Sequence, residues 1–175
     1  MSEPAWVPLG TAPMIPWQIV FTALASEPPG AGYATLDTRN GHPVLDYDAA
    51  ANEGVMFRGV LPNAYAGRGL NVKLIWAATT AVAGNVVWAI GVERINAGGQ
   101  DLDANSFGPT ISATATCDTV SGETTETVIP ISAGASMDGL LAGEMFRLQV
   151  YRDAVNAADT MAGDAELLAV VITEQ

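Results

Sequence analysis

The chain has 175 residues, of which 49% are hydrophobic and 15% charged, and nineteen Asp and Glu against seven Lys and Arg leave a net charge of −12. One domain with a real core is expected, burying about 70% of the surface its unfolded form exposes, and such apolar content excludes a generic disordered chain. The acidic balance argues against phosphate backbones and anionic membrane surfaces, so neither a nucleic-acid nor a membrane partner is expected, and no apolar run approaches the ~20 residues of a membrane helix.

Residues 1–31 stand apart. They hold Pro4, Pro8, Pro13, Pro16, Pro28 and Pro29, six of the ten prolines. Proline fixes φ and removes a backbone donor, so the segment resists regular structure. It also carries Trp6, Val7, Leu9, Met14, Ile15 and Trp17, which a polar linker would not. The expectation is an extended arm over residues 1–31, lying on its own domain or on a neighbouring subunit, with these six apolar residues as its contacts. Within it, WQIVFTAL over residues 17–24 reads as one strand. The N-terminus lacks the basic start and apolar run of a secretory signal, which points to synthesis, and use or assembly, in a cytosol.

Residues 32–175 follow a strand rhythm. Residues 33–37 and 43–47 flank Arg39-Asn40-Gly41, and Asn-Gly is a strong hairpin signal. EGVMFRGVL, residues 53–61, is the next strand. LNVKLIWAATTAVAGNVVWAIGVERI, residues 70–95, reads as two strands with a short connection. Leu70, Val72, Leu74 and Trp76 share one face of the first, and Val86, Trp88, Ile90 and Val92 one face of the second. Period-2 spacing of this kind marks half-buried strands, and Trp76 and Trp88 are read as core anchors. Residues 110–119, 124–132, 144–152 and 165–173 complete the series. Many short strands, turn signals between them and no long helical pattern predict an all-β fold, an antiparallel two-sheet sandwich of the jelly-roll kind with the arm attached.

Catalytic and metal patterns are weak. His42 is the single histidine and Cys117 the single cysteine. A triad or a His-rich zinc site would rest on His42 alone, and a loop or edge role is expected instead. Cys117 shares a face with Ile111, Ala113 and Ala115 and reads as a small buried residue. Asp101, Asp103 and Asn105 have a calcium-loop spacing, but Ser106 and Ser112 stand where an EF-hand needs Gly and Glu. That loop and the one holding Asp153, Asp159 and Asp164 are expected to be solvated, with local turn bonds. Asp37, Asp46 and Asp48, or Glu123 and Glu126, are carboxylates close enough in sequence to consider for glycoside hydrolysis. With nineteen acids such proximity arises by chance. No Gly-rich loop has phosphate-binding spacing. Tyr33, Tyr47, Tyr65 and Tyr151 are candidates for stacking on sugars, with core or interface packing the commoner fate. No catalytic residue, metal or cofactor is expected, and the chain is not read as an enzyme.

RNGHPVLDYD, GVLPNAYAGRGLNVKLIWAATTAVAGNVVWAIGVERI and AGEMFRLQVYRDAVNAADTMAGDAELLAVVI resemble a group of virion structural proteins of tailed bacteriophages. The likeness covers about residues 33–173 and leaves out the first thirty. It implies a jelly-roll sandwich with a structural role and carries over no active site. The leading expectation is a head decoration, or cement, protein: a homotrimer on the capsid exterior, bound to the major capsid protein and stabilising the shell, with the arm gripping the capsid or a neighbour. The alternative is a receptor- or glycan-binding module of a tail or head fibre. The absence of a coiled coil or repeat shaft favours decoration.

Overall fold

A strand that is apolar on one side must bury that side against another element. The computed structural model describes residues 16–175 and shows how this chain does so. It contains ten strands: β1 (Gln18–Thr22), β2 (Thr35–Arg39), β3 (His42–Tyr47), β4 (Glu53–Val60), β5 (Leu70–Ala78), β6 (Asn85–Ile95), β7 (Ile111–Thr116), β8 (Thr124–Ile131), β9 (Met145–Arg152) and β10 (Ala165–Glu174). Every strand-to-strand pairing is antiparallel. The fold is all-β, in two antiparallel sheets, as the alternation predicted.

One sheet has the order β2-β3-β10-β5-β8, with β1 also paired to β10; the other has the order β4-β9-β6-β7. The pairs β3·β10, β4·β9, β5·β8 and β6·β7 are nested, so the chain behaves as one long antiparallel ribbon rolled over on itself. That is the jelly-roll arrangement. The β2–β3 hairpin turns at Asn40 and Gly41, with φ of 47° and 80°. Two positive φ values in a two-residue loop suit Asn-Gly and match the twist of the flanking strands.

The strands β5 and β6, neighbours in sequence, lie in different sheets. They face each other across the core. Trp76 and Trp88 are fully buried, and their rings meet edge to face with centroids 5.8 Å apart. Tyr47 packs edge-on against Trp88 at 5.0 Å. Such pairs add about 1 kcal/mol to simple area burial. Trp76 Nε1 donates to Thr127 Oγ1 at 2.9 Å, so its one polar atom is satisfied.

Of the expected arm, residues 16–31 are described. The strand β1 pairs with β10 from Gln18↔Thr173 to Thr22↔Ala169. Phe21 enters the core, stacked on Phe57 at 5.2 Å. Further on, Glu27 exchanges both backbone hydrogen bonds with Met56 on the outer edge of β4. This stretch lies on its own sandwich, the first of the two arrangements anticipated for the arm. The strand β10 changes partner from β3 to β1 at a bulge between Leu167 and Ala169, and Leu168 is the extra residue.

The two ends of the sandwich are built differently. At one end the loops 48–52, 79–84, 117–123 and 153–164 meet. Ala49 N donates to Asp164 Oδ1 at 3.0 Å and Asn52 Nδ2 to Asp153 Oδ1 at 3.1 Å. Beneath them Arg152 is completely buried. Its guanidinium donates to Asp159 at 3.0 and 2.7 Å and to the carbonyls of Gly163 and Met161 at 2.8 Å. At the other end the loops 61–69 and 132–144 meet the end of β10. Trp17 lies edge-on to Tyr65 at 6.3 Å, Tyr65 donates its hydroxyl to Arg68 O, and Ala66 N donates to Glu174 Oε1 at 2.8 Å. Arg94 and Glu144 pair there at 2.5 Å.

Candidate functional site

A cleft lies on the outer face of the six-stranded sheet, beneath the tip of the β2–β3 hairpin. Its volume is about 360 Å³, and its walls include Arg39, His42, Val44, Ala77, Thr124 and Leu168. The bulge pushes Leu168 outward to form one side. Arg39 crosses the cleft, pairs with Glu166 and donates to the carbonyls of Ala78 and Thr79 at 3.1 and 3.2 Å. A side chain at Gly122 would strike that guanidinium, since a Cβ there would sit 2.6 Å from Arg39 Nη2.

Carboxylates crowd behind Arg39. The Asp46 carboxyl is raised to about 6 from 3.8, first by burial and then by the negative charges of Asp164, Glu166 and Asp37, against a lowering hydrogen bond from Thr79. That hydrogen bond is long, at 3.5 Å. The cluster has a perturbed acid but no catalytic geometry. His42 is exposed, and its imidazole makes no hydrogen bond among the described residues. Cys117 is buried, and burial pushes its thiol up, away from the reactive thiolate. Among the described residues the only hydroxyl facing the perturbed acid is that of Thr79, and at 3.5 Å from Asp46 Oδ1 it is too far for an activated nucleophile–base pair.

The suspected calcium loops behave as turns. Asp101 Oδ1 accepts from Asp103 N at 3.0 Å, Asp101 O accepts from Asn105 N at 2.9 Å, and Asn105 Nδ2 donates to Arg94 O at 2.8 Å. Asp153 binds Asn52 and Asn156, Asp164 binds Ala49, and Asp159 is spent on Arg152. Among the described residues no group of three His, Cys, Asp or Glu is placed to hold a metal ion.

Charge and aromatic rings are largely used internally. All seven cations pair with carboxylates of the same chain: Arg39, Arg58, Arg68, Lys73, Arg94, Arg147 and Arg152. The surplus carboxylates therefore set the surface potential. Trp76, Trp88, Tyr47 and Tyr65 are buried and cannot present a ring face to a ligand. Tyr33 is half-buried and hydrogen-bonded to Ser26 at 3.1 Å.

Tyr151 differs. It lies on the outward phase of β9 with Arg147 and Gln149, while Phe146, Leu148, Val150 and Arg152 point in. Its neighbours across the sheet are Gly54 and Ala89. A Cβ at Gly54 would be 3.0 Å from Tyr151 Cβ, so the glycine leaves the side of the tyrosine open. The result is a groove of about 230 Å³ walled by Ala31, Gly32, Glu53, Gly54, Gln149 and Tyr151 among others.

Of the six expected contact residues, Trp17 is half-buried against Tyr65, with its Nε1 lacking an acceptor. Trp6, Val7, Leu9, Met14 and Ile15 lie outside the described residues. The outward phase of Tyr151 was readable from sequence, but its pairing with Gly54 was not. The buried Arg152 was missed, although it falls in phase with Phe146, Leu148 and Val150.

No family model matches the sequence, and no curated protein matches it either. Solved structures do match the fold. The CBM36-1 domain of a multidomain xylanase from the hindgut metagenome of Trinervitermes trinervoides superposes with a TM-score of 0.50 at 13% identity, over 89% of this chain and 95% of that one. A family 35 carbohydrate-binding module from an environmental isolate gives 0.51 at 11% identity, over 91% and 97%. The xylan-binding module CBM15 gives 0.50 at 10% identity, over the same shares. At these identities the likeness establishes a shared jelly-roll fold.

Proposed function

We propose that the chain is a non-catalytic glycan-binding module carried on a tailed-phage virion, in a head or tail fibre. The observation that carries this reading is the polar groove beside Tyr151, where, among the described residues, a tyrosine side and hydrogen-bonding groups not engaged elsewhere meet on the surface. Solved structures named as carbohydrate-binding modules share the fold and support the same reading. Placement on a virion rests on the sequence likeness. The purified protein should bind host cells or their extracted surface polysaccharide in a pull-down. Retention no greater than that of an unrelated acidic protein would sink the proposal.

A second reading, a head decoration protein, is favoured by the polarity of the sandwich. The described chain starts at the end built from Trp17 and Tyr65, while many surplus carboxylates gather on loops at the opposite end. A homotrimer on the capsid exterior would hold the major capsid protein with the first end and present the acidic end to solvent. Removing residues 1–15 tests this without taking out β1. The shortened protein should fold and lose its place on particles seen by cryo-microscopy. Full occupancy would remove the anchoring role.

A further inference from the structure

We infer that the Tyr151 groove is the ligand-binding subsite and that its ligand is a neutral saccharide; this rests on the glycan-binding reading above. Three features of the groove lead to that class.

The first is unspent hydrogen-bonding capacity. The amide of Gln149 and the hydroxyl of Tyr151 make no hydrogen bond among the described residues. Glu53 uses only Oε2, which accepts from Asp48 N at 2.9 Å, and keeps Oε1. An amide, a phenol and a carboxylate oxygen together supply donors and acceptors, which suits sugar hydroxyls that are both. Asn52 is not counted, because its amide is oriented by Asp153, to which Nδ2 donates, and by Val155 N, from which Oδ1 accepts.

The second is shape. Tyr151 stands between Gly54 and Ala89, and Gln149 between Met56 and Gly91. Tyr151 is half-buried, and the missing side chain at Gly54 leaves one side of it open to the groove, where the C–H face of a pyranose can lie against it. Gly32, beyond the edge of β4, has φ +64°, and a Cβ there would be 2.9 Å from Asn52 O. The wall on that side is therefore backbone.

The third is charge. Glu53 is the one ionisable group in the wall apart from the phenol, and no Lys or Arg lines the groove. On a molecule of net charge −12 a uronate or sialate would meet repulsion with no compensating cation. The cations that could have served are already paired within the chain.

The test is calorimetric titration of the full-length chain with xylohexaose, cellohexaose, mannohexaose and β-1,4-galactotriose, with trigalacturonate as the acidic counterpart. At least one neutral oligosaccharide should bind. Tyr151→Ala and Gln149→Ala should each weaken it by about fivefold or more. His42→Ala and Thr124→Ala, on the wall of the hairpin cleft, should leave it unchanged. If Tyr151→Ala does not fold by circular dichroism, Tyr151→Phe and Gln149→Ala carry the comparison. Binding that survives the groove variants, or that falls with the hairpin-cleft variants instead, overturns the groove and leaves the glycan-binding reading standing. Trigalacturonate binding as tightly as the neutral sugars overturns the ligand class. No binding by any of the probes overturns this assignment together with the reading it rests on.

Discussion

The acidic end of the sandwich and the end that holds Trp17 solve one problem by opposite means. Each must fix several loops over an open rim of the core. The acidic end does it with a buried charge, Arg152, which gathers Asp159, Gly163 and Met161 around one guanidinium. The other end does it with rings, Trp17 on Tyr65, supported by the partly buried Arg94–Glu144 pair. There Arg94 holds the Glu144 carboxyl below its usual range. A polar lock is directional and fails sharply when one partner is removed. An apolar plug yields gradually, in proportion to the area lost.

Four substitutions would break or sharpen that contrast. Trp76→Ala, which removes the contact joining the two sheets between the ends, should cost about 3–5 kcal/mol in urea unfolding. It should raise amide exchange at both ends alike; protection lost at one end only would show that the ends are not coupled through the core. Arg152→Ala should cost about 3 kcal/mol, because Asp159 is left buried and uncompensated. Its exchange should rise chiefly in residues 153–164. Trp17→Ala should cost about 2 kcal/mol and loosen residues 61–69 while leaving 153–164 protected.

The smallest effect is expected from Asp46→Asn. The Asp46 carboxyl titrates near 6 in the fold against 3.8 for the free group, so the folded state holds more protons between those values. Stability therefore falls as pH rises through that window, and the full cost is present above it. The substitution should stabilise the protein at pH 7 by about 1 kcal/mol, less than the whole shift implies because the carboxylate is partly solvated. The gain should vanish below about pH 4. A gain that persists there would mean that packing rather than charge is responsible.

The strands were legible because alternation is a local property. The inward sets on β5 and β6 fall where the pattern of apolar residues put them, and the Asn40-Gly41 turn announces itself. Sheet membership was not legible. The strands β5 and β6 are adjacent in sequence but lie in opposite sheets, a choice set by the nested pairing of the whole ribbon. The groove was half legible: Tyr151 and Gln149 show their outward phase, yet the gap beside them comes from Gly54, almost a hundred residues earlier, through a cross-strand register. Arg152 shows the converse. Its phase put it inside, and the habit of reading arginine as surface hid it.

The chain's single lysine, Lys73, stands on the outward side of β5 between Val171 and Val128, paired with Glu126 at 3.0 Å and partly open to solvent. The six-stranded sheet thus carries one amine at a known point, and the opposite sheet carries none. With the α-amino group blocked, an amine-directed cross-linker applied to any assembly of this protein would report, from one residue, which broad face of the sandwich lies against its neighbour. With the α-amino group blocked first, the same lysine would take a single dye, so the orientation of the protein on a surface could be followed optically without engineering a site.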